Sequence, residues 1–87
     1  MAPHSKNANR IAVLDTEGGD HYIIRSNPSV KEVLGFVKEH NRRAAKNIPG
    51  GPSGIIAQHI TSAYYYPNEV NFDNGVKTGR SKIDLDT

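Results

Sequence analysis

The stretch SNPSVKEVLGFVKEHNRRAAKN, residues 26–47, decides how the rest of the chain is read. Ser29 with Glu32 three residues later forms a capping box, and Pro28 just ahead suits a helix start. Val30, Val33, Leu34, Val37 and Asn41 then recur at i, i+3, i+4, i+7 and i+11, which is one face of a 3.6-residue period. The pattern predicts an amphipathic helix over roughly residues 29–46, with Val33, Leu34 and Val37 in the core. Asn47, Pro49 and Gly50 stop it. The segment holds five cations (Lys31, Lys38, Arg42, Arg43, Lys46) and two anions (Glu32, Glu39), a local +3 against +2 for the whole chain. The remainder is therefore net −1. Arg42, Arg43 and Lys46 fall in the last turns, where the helix dipole favours cations by ~0.3 to 1 kcal/mol each.

On the N-terminal side, Arg10 to Leu14 and His21 to Arg25 are β-prone runs around Asp15-Thr16-Glu17-Gly18-Gly19-Asp20. The glycines can take the positive φ that a tight turn requires, so a hairpin is expected. Ile11, Val13, Tyr22, Ile23 and Ile24 only partly alternate, which leaves the buried face open. Residues 1–9 show no periodicity and read as a frayed arm, leaving a single domain over residues 10–87.

On the C-terminal side, residues 48–54 (Ile-Pro-Gly-Gly-Pro-Ser-Gly) read as a loop. Ile55, Ile56, His59, Ile60 and Ala63 then trace one face of a shorter helix, with Ser53 as its N-cap and an end before Pro67. Tyr64, Tyr65 and Tyr66 favour extended chain at that boundary. Val70 to Phe72, the Asn74-Gly75 pair and the run to Leu85 suggest a second hairpin. The expected architecture is a two-layer α+β domain in ββααββ order. An antiparallel sheet of two hairpins is covered on one face by one long and one short helix. Its other face and its edges are then free.

With 87 residues, 36% hydrophobic and 23% charged, the chain has the composition of one ordinary soluble domain, too short for a two-domain enzyme. Its stability should be about 4 to 13 kcal/mol. The absence of cysteine excludes disulfide and thiolate chemistry and points to a reducing compartment, hence the cytoplasm. Met1 to Arg10 is polar, unlike a signal peptide, and no apolar run approaches the ~18 residues that span a bilayer. No membrane association is expected.

Gly50 to Gly54 ahead of a helix could offer backbone N–H groups to a phosphate, but it lacks the Gly-Lys-Ser/Thr of a P-loop. Gly51-Pro-Ser-Gly54 also matches the Gly-x-x-Gly spacing of the nucleotide clamp in K-homology domains. Its proline and lack of a basic residue make a poor clamp. His4, His21, His40 and His59 are spaced 17, 19 and 19 apart, which fits no common ligand pattern, so neither metal nor cofactor is expected. No nucleophile, carboxylate pair or metal cluster can be assembled from local spacing. That points away from catalysis, although His40 or His59 with Lys, Arg and Tyr could furnish a small ribonuclease.

Two binding surfaces remain. Tyr64, Tyr65 and Tyr66 with a free sheet edge suit a protein partner, through strand addition or aromatic anchors. Lys38, Arg42, Arg43 and Lys46 with the same tyrosines suit RNA or single-stranded DNA. The first is preferred, because the chain outside the helix offers no second basic surface. The expected function is that of a small macromolecule-binding protein, an inhibitor or accessory module acting by occlusion or assembly.

Overall fold

A computed structural model describes residues 9–46 and 58–86. Among them the elements run β1 (Ile11–Thr16), β2 (His21–Ile24), α1 (Val30–Ala45), β3 (Ile60–Tyr66), α2 (Glu69–Asp73) and β4 (Ser81–Lys82). The strands form one antiparallel sheet ordered β2-β1-β3-β4. The fold is a small α+β arrangement of four antiparallel strands and two helices among the described residues. Among the described residues the element order is ββαβαβ rather than ββααββ. The N-terminal arm and the Gly50 to Gly54 loop lie outside the described residues, apart from Asn9.

The first hairpin forms as its sequence predicts. Thr16 N donates to Asp20 O at 2.9 Å, Gly19 N donates to Thr16 O at 3.2 Å, and Gly19 sits at φ +87°. This is a type I turn closed by a left-handed bulge residue, the usual three-residue hairpin loop. A Cβ at Gly19 would meet nothing within 4 Å, so the whole cost of a side chain there is backbone strain. Gly19→Ala should lower stability by about 1 to 2 kcal/mol, read as a shifted urea midpoint with an unchanged slope.

Helix α1 begins with the expected capping box: Glu32 N donates to Ser29 Oγ at 3.1 Å, and Ser29 N donates to Glu32 Oε1 at 3.2 Å. Val33 and Val37 are buried as predicted, together with Ala44, but Leu34 is only half-buried. Leu34 lies ~100° around the helix from Val33, at the margin of the contact. The main core joins Val33 and Val37 to Ala12, Leu14, Ile60, Ala63, Tyr65 and Ile83. Strand residues of the opposite parity, Ile11, Val13 and Tyr66, pack under Phe72 of α2. The two helices therefore cover opposite faces of the sheet, where both were expected on one. Strand β1 is buried on both sides, which explains the unbroken apolar run Ile11 to Leu14.

Two further expectations are corrected. The short helix expected from Ser53 through Ile55 and Ile56 to Ala63 begins outside the described residues, and its Ile60 to Ala63 part is instead strand β3, for a reason visible in its register. Asp15 pairs with Ser62 and Thr16 with Ile60, so β3 carries a bulge at this point. The extra residue lets Ile60 and Ala63, three positions apart, both enter the α1-side core. A bulged strand thus imitates the i, i+3 spacing of a helix.

The second expected hairpin is not formed between residues 70 and 85. Residues 69–73 are α2, with Asn68 as N-cap accepting from Asn71 N at 2.7 Å. Gly75 N donates to Phe72 O and Val76 N to Asn71 O, while Gly75 takes φ +71°. Those two bonds and the positive φ define a Schellman motif, so Asn74-Gly75 ends a helix instead of turning a hairpin. The strand expected after it shrinks to Ser81–Lys82, which pairs with β3.

Candidate functional site

Among the described residues the sheet ends on one side in β2, and the alternation of antiparallel bonding fixes what that edge presents. The Thr16–Asp20 bond belongs to the β1–β2 ladder, so the bonded pairs recur every second residue, at Leu14–Tyr22 and Ala12–Ile24. Tyr22 and Ile24 therefore turn their backbone groups toward β1. His21 and Ile23 turn theirs outward.

Beside that edge, on the α1 side of the sheet, lie Tyr22, Phe36 and His40. The ring centroids of Tyr22 stand 6.0 Å from Phe36 and 5.0 Å from His40, while Phe36 and His40 are stacked at 15° and 6.1 Å. Tyr22 and Phe36 are each 40% exposed. Among the described residues, the other large exposed apolar residues are the valines Val30, Val70 and Val76. Exposed rings that touch one another form a patch, whereas isolated exposed valines are ordinary surface. His40 is further tethered by Nε2 to the Gln58 carbonyl at 2.6 Å.

The residues singled out from sequence fall elsewhere. Alternation along β3 sends Tyr65 to the α1 side and Tyr64 and Tyr66 to the other, so the three rings do not share one surface. Tyr65 is buried, donates its hydroxyl to Pro28 O at 2.9 Å and lies under the Arg10 guanidinium at 3.8 Å. Burial holds its phenol above the usual value. Tyr66 is buried and accepts from Arg80 Nη1 at 3.1 Å; half-buried Tyr64 lies beneath the same guanidinium at 3.9 Å. Lys38, Arg43 and Lys46 are exposed on α1. Arg42 is engaged by Glu39 in a two-pronged pair at 3.1 and 2.6 Å, and its hydrogen bonds draw the Glu39 carboxyl below its usual range.

Phe36 escaped the sequence reading, and His40 entered it only as a candidate acid/base or metal-ligating residue, because both lie off the Val33–Val37 stripe, where a helix is expected to be solvated. Their i, i+4 spacing with each other was the available signal.

At the start of β3, Glu17 Oε2 accepts from His59 N at 2.9 Å and contacts His59 Nδ1 at 3.0 Å. The backbone bond first, and the ring bond second, lower the Glu17 pKa from 4.5. A carboxylate with a depressed folded pKa contributes stability above its unfolded value and loses it as pH falls through the folded one. The stability gap between the wild type and Glu17→Gln should accordingly be widest above pH 4.5 and close on acidification, as measured by urea titration at each pH.

A surface hollow of about 440 Å³ is lined by Asn9, Ile11, Arg25, Asn68, Glu69 and Val70, among others. Arg25 donates to both Glu69 oxygens at 2.8 and 2.7 Å, so the two charges at its rim satisfy each other. Among the described residues no group of three metal-ligating side chains comes together, and no helix is long and apolar enough to cross a membrane. No protein-family model matches the chain, and neither the curated proteins nor the solved structures contain a match.

Proposed function

We propose that this chain is a protein-binding module whose recognition surface is the outer edge of β2 together with Tyr22, Phe36 and His40. The observation that carries the proposal is their adjacency: backbone groups of His21 and Ile23 that no described residue pairs run alongside an exposed ring cluster. An edge supplies main-chain hydrogen bonds to an incoming strand, and rings beside it supply apolar anchors. Such a module acts by occlusion or assembly and makes no demand for a cofactor.

Nuclease-treated extract from the native cell, passed over the immobilised protein, tests the reading. A protein should be retained by the wild type and lost in Tyr22→Ala/Phe36→Ala, with little sensitivity to added salt. Retention of RNA or DNA through Lys38, Arg43 and Lys46, with affinity falling steeply with salt, would replace it with the nucleic-acid alternative.

A further inference from the structure

We infer that the occupant of the β2 edge is a second copy of this chain, paired β2 to β2 about a two-fold axis through Tyr22. The inference rests on β2 being the binding edge and names its partner. An added strand continues a sheet only if residues opposite one another lie on the same face. Setting Tyr22 opposite its own copy meets that condition and sets His21 opposite Ile23 of the second copy. The outward N–H and C=O groups of both residues then all find partners, in two bonded pairs flanking the Tyr22 pair. Sliding by one residue sets Tyr22 against Ile23 and crosses the faces. Sliding by two sets His21 against Arg25, which lies beyond the end of β2 and is held by Glu69, or in the other sense sets Ile23 against Gly19, which lies in the turn.

The helix above the edge is self-complementary under the same axis. Glu32, Phe36, His40 and Arg43 follow one another at spacings of four, four and three, along the flank of α1 that faces Tyr22. Because Tyr22 touches both Phe36 and His40, a two-fold axis through it brings Phe36 against His40 of the second copy. It also brings exposed Glu32 at one end of the flank against exposed Arg43 at the other. Rings meet at the centre and opposite charges at the rim, the distribution expected of a specific interface.

Sedimentation equilibrium of the full chain, combined with cysteine cross-linking, tests both the pairing and its register. The native sequence has no cysteine, so each variant carries one thiol. In the proposed register the two Tyr22 Cα atoms lie about 4.5 Å apart, within disulfide reach, whereas the two Ile24 Cα atoms lie about 13 Å apart or more. A concentration-dependent dimer is expected, with Tyr22→Cys oxidising to a covalent dimer and Ile24→Cys remaining monomeric on denaturing gels. His21→Pro removes an N–H that β1 does not use and should weaken dimerisation by about tenfold or more. Tyr22→Glu, which sets like charges on the axis, should do the same with circular dichroism unchanged.

A chain that stays monomeric to roughly 1 mM overturns the self-pairing. In that event, capture of a different protein that depends on Tyr22 and Phe36 still decides the binding reading separately. A dimer that cross-links through Ile24→Cys but not Tyr22→Cys, or that is indifferent to Tyr22→Glu, overturns the self-pairing as well.

Discussion

Asn41→Leu should cost about 2 to 5 kcal/mol, even though it extends the apolar stripe of α1. Asn41 Oδ1 accepts from Ile60 N at 2.7 Å, and its Nδ2 donates to Ile60 O at 3.2 Å. Ile60 is 3% exposed and lies beyond the reach of the C-terminal segment, whose pairing with β3 runs from Tyr65 and Tyr64 to a last bond from Ile83 N to Ala63 O at 2.8 Å. The side-chain amide thus does for Ile60 what a longer neighbouring strand would do. Leucine leaves a buried donor and a buried acceptor without partners, each a loss of ~1 to 3 kcal/mol. Against a total of about 4 to 13 kcal/mol, the variant should be marginally folded at room temperature. Equilibrium urea unfolding checks it. A midpoint equal to that of the wild type would mean that the amide does not hold Ile60.

Leu14→Ala carries the second large effect, about 2 to 5 kcal/mol, read as a fall of roughly 10 °C or more in Tm. Leu14 is fully buried, stands in one of the two central strands between Tyr22 and Ala63, and packs in the core beneath Val33 and Val37. It has sheet on both sides and helix above, so the cavity left by truncation cannot collapse without moving several elements. Half-buried Leu34 supplies the internal comparison, because its truncation opens a gap at the margin that water and neighbouring side chains can fill. Its loss should be clearly smaller than that at Leu14.

What could be read from the sequence was local. The capping box of Ser29 and Glu32, the Val33–Val37 stripe and the Gly19 turn are each written within about 15 consecutive residues, and all three form. The misread elements depend on partners distant in the chain. Ile60 and Ala63 look helical until the bulge against Asp15 and Thr16 is known, and that bulge is a property of β1 meeting β3. Asn74-Gly75 suits a hairpin turn and a Schellman cap equally well on local grounds. The choice follows from Phe72 packing on Tyr66 and His21 as part of a helix.

The candidate site was obscured for a similar reason. Three consecutive tyrosines suggest a patch, yet in an extended strand neighbours point to opposite faces, and the sheet is buried on both. The rings that do meet at the surface, Tyr22 and Phe36, are fourteen positions apart and come from different elements. Of the cations that the sequence groups at the end of α1, Arg42 is held by its own i−3 neighbour, Glu39, in a bidentate pair.

The sheet order β2-β1-β3-β4 also bears on biosynthesis. Ile11 pairs with Tyr66, 55 residues later, so one flank of β1 has no strand to bind until that later stretch has left the ribosome. At ~5 to 20 residues per second, that is an interval of about 3 to 10 s. During it, only β2 can pair with an edge of β1, while α1, which also precedes β3, can cover Ala12 and Leu14 from one face. Translation speed and chaperone capture, more than the rate of hairpin closure, should therefore set the yield of correctly folded protein. Slow codons placed after β3 would bring no benefit, whereas slow codons before it would prolong the exposure of β1.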